Sequence, residues 1–308
     1  MGRFPRTTLP ALLAALILAA CGGGGGGDGD SSNRSASSAS VATASNTATE
    51  GIEQFNVRRE QIGLQRLSRN AVVDRAAQGH SDYQGLNNTI THEQIEGRPG
   101  FTGVELDQRL RAAGYNFTQT GGYAYGEVIS STASTSGASA AEDLIAAIYH
   151  RFVIFEPMFK EIGAGAATVN GGNTYFTTNF TVNGLNGGLP SGGVVIYPYN
   201  GQRDVDRNFM SDNESPDPVP DRNEVGYPIS VHANILASVA VQEFAVRPQG
   251  GSDLQVRRLS AAGDTHTPNS AAAIVPLAPL AANTTYEVRF VGTVDGTQVS
   301  RNWTFTTR

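Results

Sequence analysis

The feature that most constrains this chain is a change of hydrophobic period at Asn183-Gly184-Leu185-Asn186-Gly187-Gly188. From Ile52 to about Val182 apolar residues recur first at helical spacing and then in extended runs. Beyond the glycines only short extended runs remain, separated by turn residues. Helices bury a stripe and strands bury a face, so the two halves need different layer architectures. The switch predicts an α+β layered domain followed by an all-β sandwich. With 308 residues the chain is long enough for both.

In the first half Ile52, Phe55 and Ile62 share one helical stripe, and Val72, Val73, Ala76, Ala77, His80 and Tyr83 mark a second. Two stretches read as capping boxes. Thr102-Gly103-Val104-Glu105 precedes Leu106 and Leu110, and Ser139-Ala140-Ala141-Glu142 opens a helix expected to run to Phe152. Strands are expected at Tyr123 to Ile129, Glu161 to Val169 and Thr174 to Val182. In the second half Val194 to Tyr197, Ile229 to Val231, Val239 to Val246, Ala272 to Leu277, Tyr286 to Gly292 and Val299 to Thr306 read as strands. Asp295-Gly296 supplies the turn between the last two. The approach through Asn283-Thr284-Thr285-Tyr286 resembles a tyrosine corner, which implies an immunoglobulin-like sandwich.

The N-terminus reads as an address. Arg3 and Arg6 precede an apolar run from Leu12 to Leu18 that is too short to span a bilayer, and Leu18-Ala19-Ala20-Cys21 resembles the lipobox of bacterial lipoproteins. Residues 1–20 are therefore expected to be a signal peptide. Cys21, the only cysteine, is expected to be the lipidated first residue of the mature chain, which leaves no disulfide framework. Residues 21–51, rich in Gly, Ser, Ala and Thr, read as a flexible tether with a reach of about 30 Å. The folded domains are expected at 52–185 and 190–308. Loss of the signal removes two arginines and no acid, so an already acidic chain of net charge −6 becomes more so. That argues against nucleic acid as a partner.

Five histidines are the groups able to bind metal or move protons near neutral pH. His80 lies on its helix's apolar face and reads first as a packing residue. His92 sits in a polar loop that no core explains. Glu127 is a lone carboxylate in an otherwise aromatic, small or aliphatic strand, where it needs a partner or a cleft. His150 ends a helix, where it can also interact with the negative helix end. The acids Asp212, Glu214, Asp217, Asp221 and Glu224 interleave with prolines. They match no calcium loop and read as a solvated segment. No Gly-x-Ser-x-Gly elbow supports a serine mechanism.

The ordered series Gly63-Leu64, His80-Ser81, His92, Arg109 to Tyr115, Gly126-Glu127, His150-Arg151, Pro157, Phe159 and Glu161 to Gly165 resembles the CAP superfamily, in its bacterial secreted branch. The resemblance covers nearly all of 52–183. It implies an α-β-α sandwich and a cleft that gathers His92, Glu127 and His150 as candidate catalytic or metal-ligating residues. The family's fourth acidic position falls on Ala147, its usual Asn after Gly-Glu on Val128 and its helix tryptophan on Leu144. The tetrad is incomplete. Two imidazoles and one carboxylate would be able to hold zinc with an open position. The expected function is a lipid-anchored cell-envelope protein whose cleft binds an envelope peptide, lipid or protein. The alternatives are a metal-assisted hydrolase, and a scaffold whose contacts are made by the sandwich. Gly22 after the cysteine favours the outer membrane.

Overall fold

A computed structural model describes residues 15–17, 42–43, 45–169 and 172–308. Cys21 and most of the segments expected to be signal peptide and tether lie outside the described residues. Helix α1 (Ser45–Gln61) begins inside the segment expected to be tether. Thr47 and Ala48 are already buried, so the folded part starts earlier than residue 52. Low apolar content hid this, because small residues serve where α1 crosses another helix closely.

Helix α2 (Ala71–Asn87) starts at Asn70, whose side chain accepts from Val72 N at 2.8 Å, and stops at Asn88 in the left-handed region with φ 46°. Helix α3 (Leu106–Ala112) follows a long loop. Its box is displaced from the expected one: Gln108 Oε1 accepts from Val104 N at 2.9 Å and from Glu105 N at 3.5 Å. The central strands are β4 (Tyr123–Thr132), β5 (Glu161–Thr168) and β6 (Thr174–Asn183), which pair antiparallel in the order β4-β6-β5. Short strands β1 (Ala15–Ile17), β2 (Ala42–Thr43) and β3 (Ser68–Arg69) flank them, β1 on β4 and the other two on β5.

This sheet has two unlike faces. Phe176, Phe180, Ile162 and Val128 lie on one, where Phe55 of α1 meets the rings of Phe176 and Phe180 at 6.3 and 5.9 Å. The other face carries Glu127, Thr177 and Asn179, and α2 lies against it. Helix and strand approach so closely there that a Cβ on Gly163 or Gly165 would fall 2.3 Å from Asp74 N or 2.2 Å from Gln78 Cα. The layers are thus α2 and α3, sheet, then α1 with the last helices. That agrees with the α-β-α expectation.

The helix expected from Ser139 is two helices. Helix α4 (Gly137–Ala146) is capped by Ser136, and Ala147 breaks to an extended conformation before α5 (Ile148–Ile154). Glu142, read as half of a capping box, instead accepts from Arg58 Nε of α1 at 2.7 Å. Every residue of α5 is buried, as expected of a helix covered on all sides.

The second region is all β. One sheet orders β13 (Val256–Ser260), β14 (Ala271–Pro276), β11 (Ile229–His232) and β7 (Val195–Tyr197). The other orders β12 (Val239–Pro248), β15 (Thr285–Val294), β16 (Thr297–Thr307) and β8 (Gln202–Val205). A hairpin joins β9 (Asn208–Met210) to β10 (Glu224–Gly226). All these pairings are antiparallel except β8 with β16. Asp295 and Gly296 have φ 50° and 79°, the paired left-handed residues that a two-residue hairpin requires. Tyr286 and Phe305 then face each other across the strands and stack at 5.5 Å.

The two regions share one hydrophobic cluster. Phe155 packs on Tyr197 at 5.1 Å, and Phe152 and Phe155 meet the His232 ring at 5.7 and 5.5 Å. Arg151, fully buried, donates to Pro228 O at 2.7 Å and lies over the rings of Tyr197 and Tyr227.

Candidate functional site

Glu127 sits mid-strand in β4 on the α2 face, and three cationic or cationisable side chains converge on it. Arg109 reaches it from α3: Nη2 donates to both carboxylate oxygens at 2.8 and 2.9 Å, while Nη1 donates to His92 O and Val104 O at 2.7 and 2.8 Å. His92 Nδ1 donates to Glu127 Oε1 at 2.9 Å. His80 Nε2 lies 3.9 Å from the same oxygen. Its own bonds run to Thr91 O at 2.7 Å and, through Nδ1, to the Gln94 amide at 2.9 Å. Gln94 donates to Nδ1, so the proton of the neutral ring is on Nε2. His80 is therefore a buried, bonded residue that shapes the loop carrying His92.

Burial is the largest influence on Glu127 and would raise its pKa, but Arg109, His80 and His92 together outweigh it and hold the carboxyl at about 2. For His80, burial dominates and depresses the ring to about 4, with the attraction of Glu127 opposing it. At neutral pH Glu127 is a carboxylate paired to the Arg109 guanidinium, and His80 beside it is neutral. A carboxylate of such low basicity is a poor general base. Exposure grades outward: His80 at 0 %, Arg109 and Glu127 at 1 %, His92 at 7 %. His92 is therefore the member of the cluster nearest to solvent.

His150 is placed elsewhere. Its Nδ1 lies 2.9 Å from Glu214 Oε1, and the Glu214 carboxylate also accepts from the amides of Ile148, Tyr149 and His150 at 2.8, 2.7 and 3.2 Å. Glu214 is 1 % exposed and belongs to the turn after β9. An acid from the β region thus caps α5 where the sequence has only Ala147. Of the three expected site residues, His92 and Glu127 are bonded to each other, and His150 is bonded to Glu214. Among the described residues no group of three or more His, Cys, Asp or Glu is disposed to hold a metal ion. The residues present do not fit zinc, because Glu127 already faces a guanidinium that would repel a second cation. The remaining acids of the 212–224 segment scatter. Asp217 accepts from Val219 N at 2.8 Å, and Asp212, Asp221 and Glu224 are exposed.

Sequence reasoning missed Arg109 and Glu214 as site residues. A buried strand carboxylate demands a cation, and the only clue to which one was Arg109's place in the resemblance. Nothing local marks Glu214.

Residues 52–180 match the family model described as CAP, the cysteine-rich secretory protein family. They form a CAP domain. Among solved structures, an extracellular protein containing an SCP domain from Bacillus anthracis str. Ames is 22 % identical, with 44 % of this chain and 40 % of that one covered and a TM-score of 0.37. The chain thus spans less than half of that protein. An outer surface protein from Borrelia burgdorferi is 15 % identical, with coverages of 46 % and 97 % and a TM-score of 0.39. No curated protein matches. The CAP domain accounts for the α2 face and the Glu127 cluster, while Glu214 comes from beyond it.

Proposed function

We propose that the mature protein is an exported lipoprotein, held to the outer membrane through lipid on Cys21, whose CAP domain binds an envelope peptide at His92 and Glu127 without cleaving it. The observation that carries this reading is the full pairing of Glu127. With Arg109 on both oxygens and a pKa near 2, the carboxylate organises hydrogen bonds and does not accept protons at neutral pH. A peptide is favoured over a lipid by the neighbouring backbone. Strand β1 pairs in parallel with Tyr125 to Glu127, so this edge of the sheet accepts an extended chain. Cleavage before Cys21 removes β1 from the mature protein. The β region is proposed to be an immunoglobulin-like domain over 190–308, supported by Ala281 N donating to Tyr286 Oη at 2.8 Å, the bond of a tyrosine corner.

Titration of N-acetyl-leucine methylamide into the labelled mature protein tests the site. The His92 ring resonances are expected to move saturably while the peptide stays intact. Cleavage products would overturn the non-catalytic reading, and an unmoved His92 at millimolar peptide would overturn the ligand. The anchor is tested by Cys21→Ser, which is expected to pass from the membrane to the soluble fraction.

A further inference from the structure

The register of the sheet sets Asn179 of β6 directly opposite Glu127 of β4. Directly opposed residues rise from the same face of a sheet, with Cβ atoms roughly 5 Å apart. Asn179 therefore stands beside Glu127 under α2, one strand further in. It is 0 % exposed, and neither its Nδ2 nor its Oδ1 has a hydrogen-bond partner among the described residues. A buried primary amide with all its donors and acceptors idle is unusual, because such a group bears its full desolvation cost.

The hydroxyls of Thr177 and Ser81 beside it are satisfied. Thr177 Oγ1, two residues earlier on the same face, donates to Ser81 Oγ at 3.0 Å and accepts from Gln84 Nε2 at 3.1 Å. Ser81 Oγ donates to Gly165 O at 3.0 Å. Opposite Asn179 on β5 stands Gly163, where the backbone of α2 takes the space of a side chain. That side is closed by α2, and on the other side Asn179 is flanked by Glu127. A second buried donor, Arg109 Nε, also lacks a partner. The idle groups comprise donors and one carbonyl acceptor, which together complement a group that both accepts and donates.

We infer that Asn179 is a ligand-binding residue of the His92–Glu127 site and recognises an amide, its Nδ2 donating to the ligand carbonyl and its Oδ1 accepting from the ligand N–H. The inference rests on the peptide-binding reading and adds to it the chemical group recognised. It also explains why a polar side chain occupies a fully buried position in mid-sheet, where an aliphatic residue would pack without loss.

The test uses N-methylacetamide as the probe and methyl acetate, which lacks the N–H, as its control. Both are titrated into the labelled mature protein while the side-chain amide resonances of Asn179 are followed. N-methylacetamide is expected to shift them saturably, and methyl acetate to bind at least tenfold more weakly. Asn179→Val is expected to weaken N-methylacetamide at least tenfold with an unchanged or higher thermal midpoint, since it removes idle polar groups. Asn179→Asp, which keeps the shape and loses the donors, should show the same weakening if the valine variant folds poorly. Equal binding of the two probes overturns the inference, as does an unmoved Asn179. If the valine variant binds like wild type while His92 still answers to N-acetyl-leucine methylamide, the inference fails and the peptide-binding reading stands. If neither residue answers to any probe, both fail.

Discussion

Glu127 owes its low proton affinity to Arg109, and the pair is best understood as a buried charge with one indispensable partner. Removing the guanidinium leaves burial as the ruling influence on the carboxyl, which then prefers its protonated form. Arg109→Met is expected to destabilise the protein by about 3–5 kcal/mol at pH 7, the range for stranding one member of a buried ion pair. The sign of the pH dependence follows from the direction of the shift. In wild type the folded pKa lies near 2, below the ordinary 4.5, so this group's contribution is present above pH 4.5 and lost as pH falls toward 2. In the variant the folded pKa rises, so its deficit against wild type should shrink as pH is lowered from 7 to 4. Urea denaturation of both proteins at pH 7, 5 and 4 reads this directly. A deficit that stays constant across the series would show that Arg109 does not set the charge state of Glu127.

Helix α5 exists as a separate element because its start is capped from a distance. Three amides at its first turn and the His150 ring all bond to the carboxylate of Glu214, and Ala147 before them has no side chain able to do so. Loss of a cap costs about 0.5–2 kcal/mol, and hydrogen bonds to a charged acceptor are worth about 1.5–3. Glu214→Ala is therefore expected to cost about 3 kcal/mol, with Glu214→Gln losing roughly half as much because one carbonyl oxygen remains. Hydrogen exchange at Ile148, Tyr149 and His150 should accelerate first. Unchanged exchange at these amides in Glu214→Ala would sink the capping role. The same element shows what a sequence can and cannot reveal. The stripe of Val73, Ala76, Ala77 and Tyr83 and the alternation of Tyr286, Val288 and Phe290 were legible because each is a local period enforced by burial on one side. Glu127 was legible as a carboxylate in need of a partner, and His92, 35 residues away, met it. The break at Ala147 was not legible. Its cause is Glu214, 66 residues beyond Ile148, and the apparent capping box at Ser139 and Glu142 was an accident of spacing, its glutamate being taken by Arg58.

From α1 onward the two regions share one hydrophobic cluster, whatever their two sequence patterns suggest. A β region serving only as a spacer would touch its neighbour through a modest polar surface. Here Tyr149, Phe152 and Phe155 are covered by His266, His232 and Tyr197, and the Arg151 guanidinium is seated between Tyr197 and Tyr227. At about 2 kcal/mol for each large apolar side chain removed from water, the three aromatic residues are worth about 6 kcal/mol. A domain's net stability is only about 5–15 kcal/mol. Each half is therefore expected to lose much of its stability when that cover is removed and the Arg151 guanidinium is stranded. Deleting residues 190–308 would then test folding and not the division of labour between the halves. The discriminating measurement keeps the chain intact and follows each half by its own signal. Trp303, the only tryptophan, lies in β16 and reports on the β region by fluorescence. Far-ultraviolet dichroism at the helical band reports on α1, α2 and α4, all from the CAP side. In a urea titration the two signals are expected to fall in a single coincident transition, since unfolding either half uncovers the other. Arg151→Ala should move both midpoints down together. Midpoints that separate by more than their error in wild type would mean that the halves fold independently, and that the shared core contributes far less than its buried rings imply.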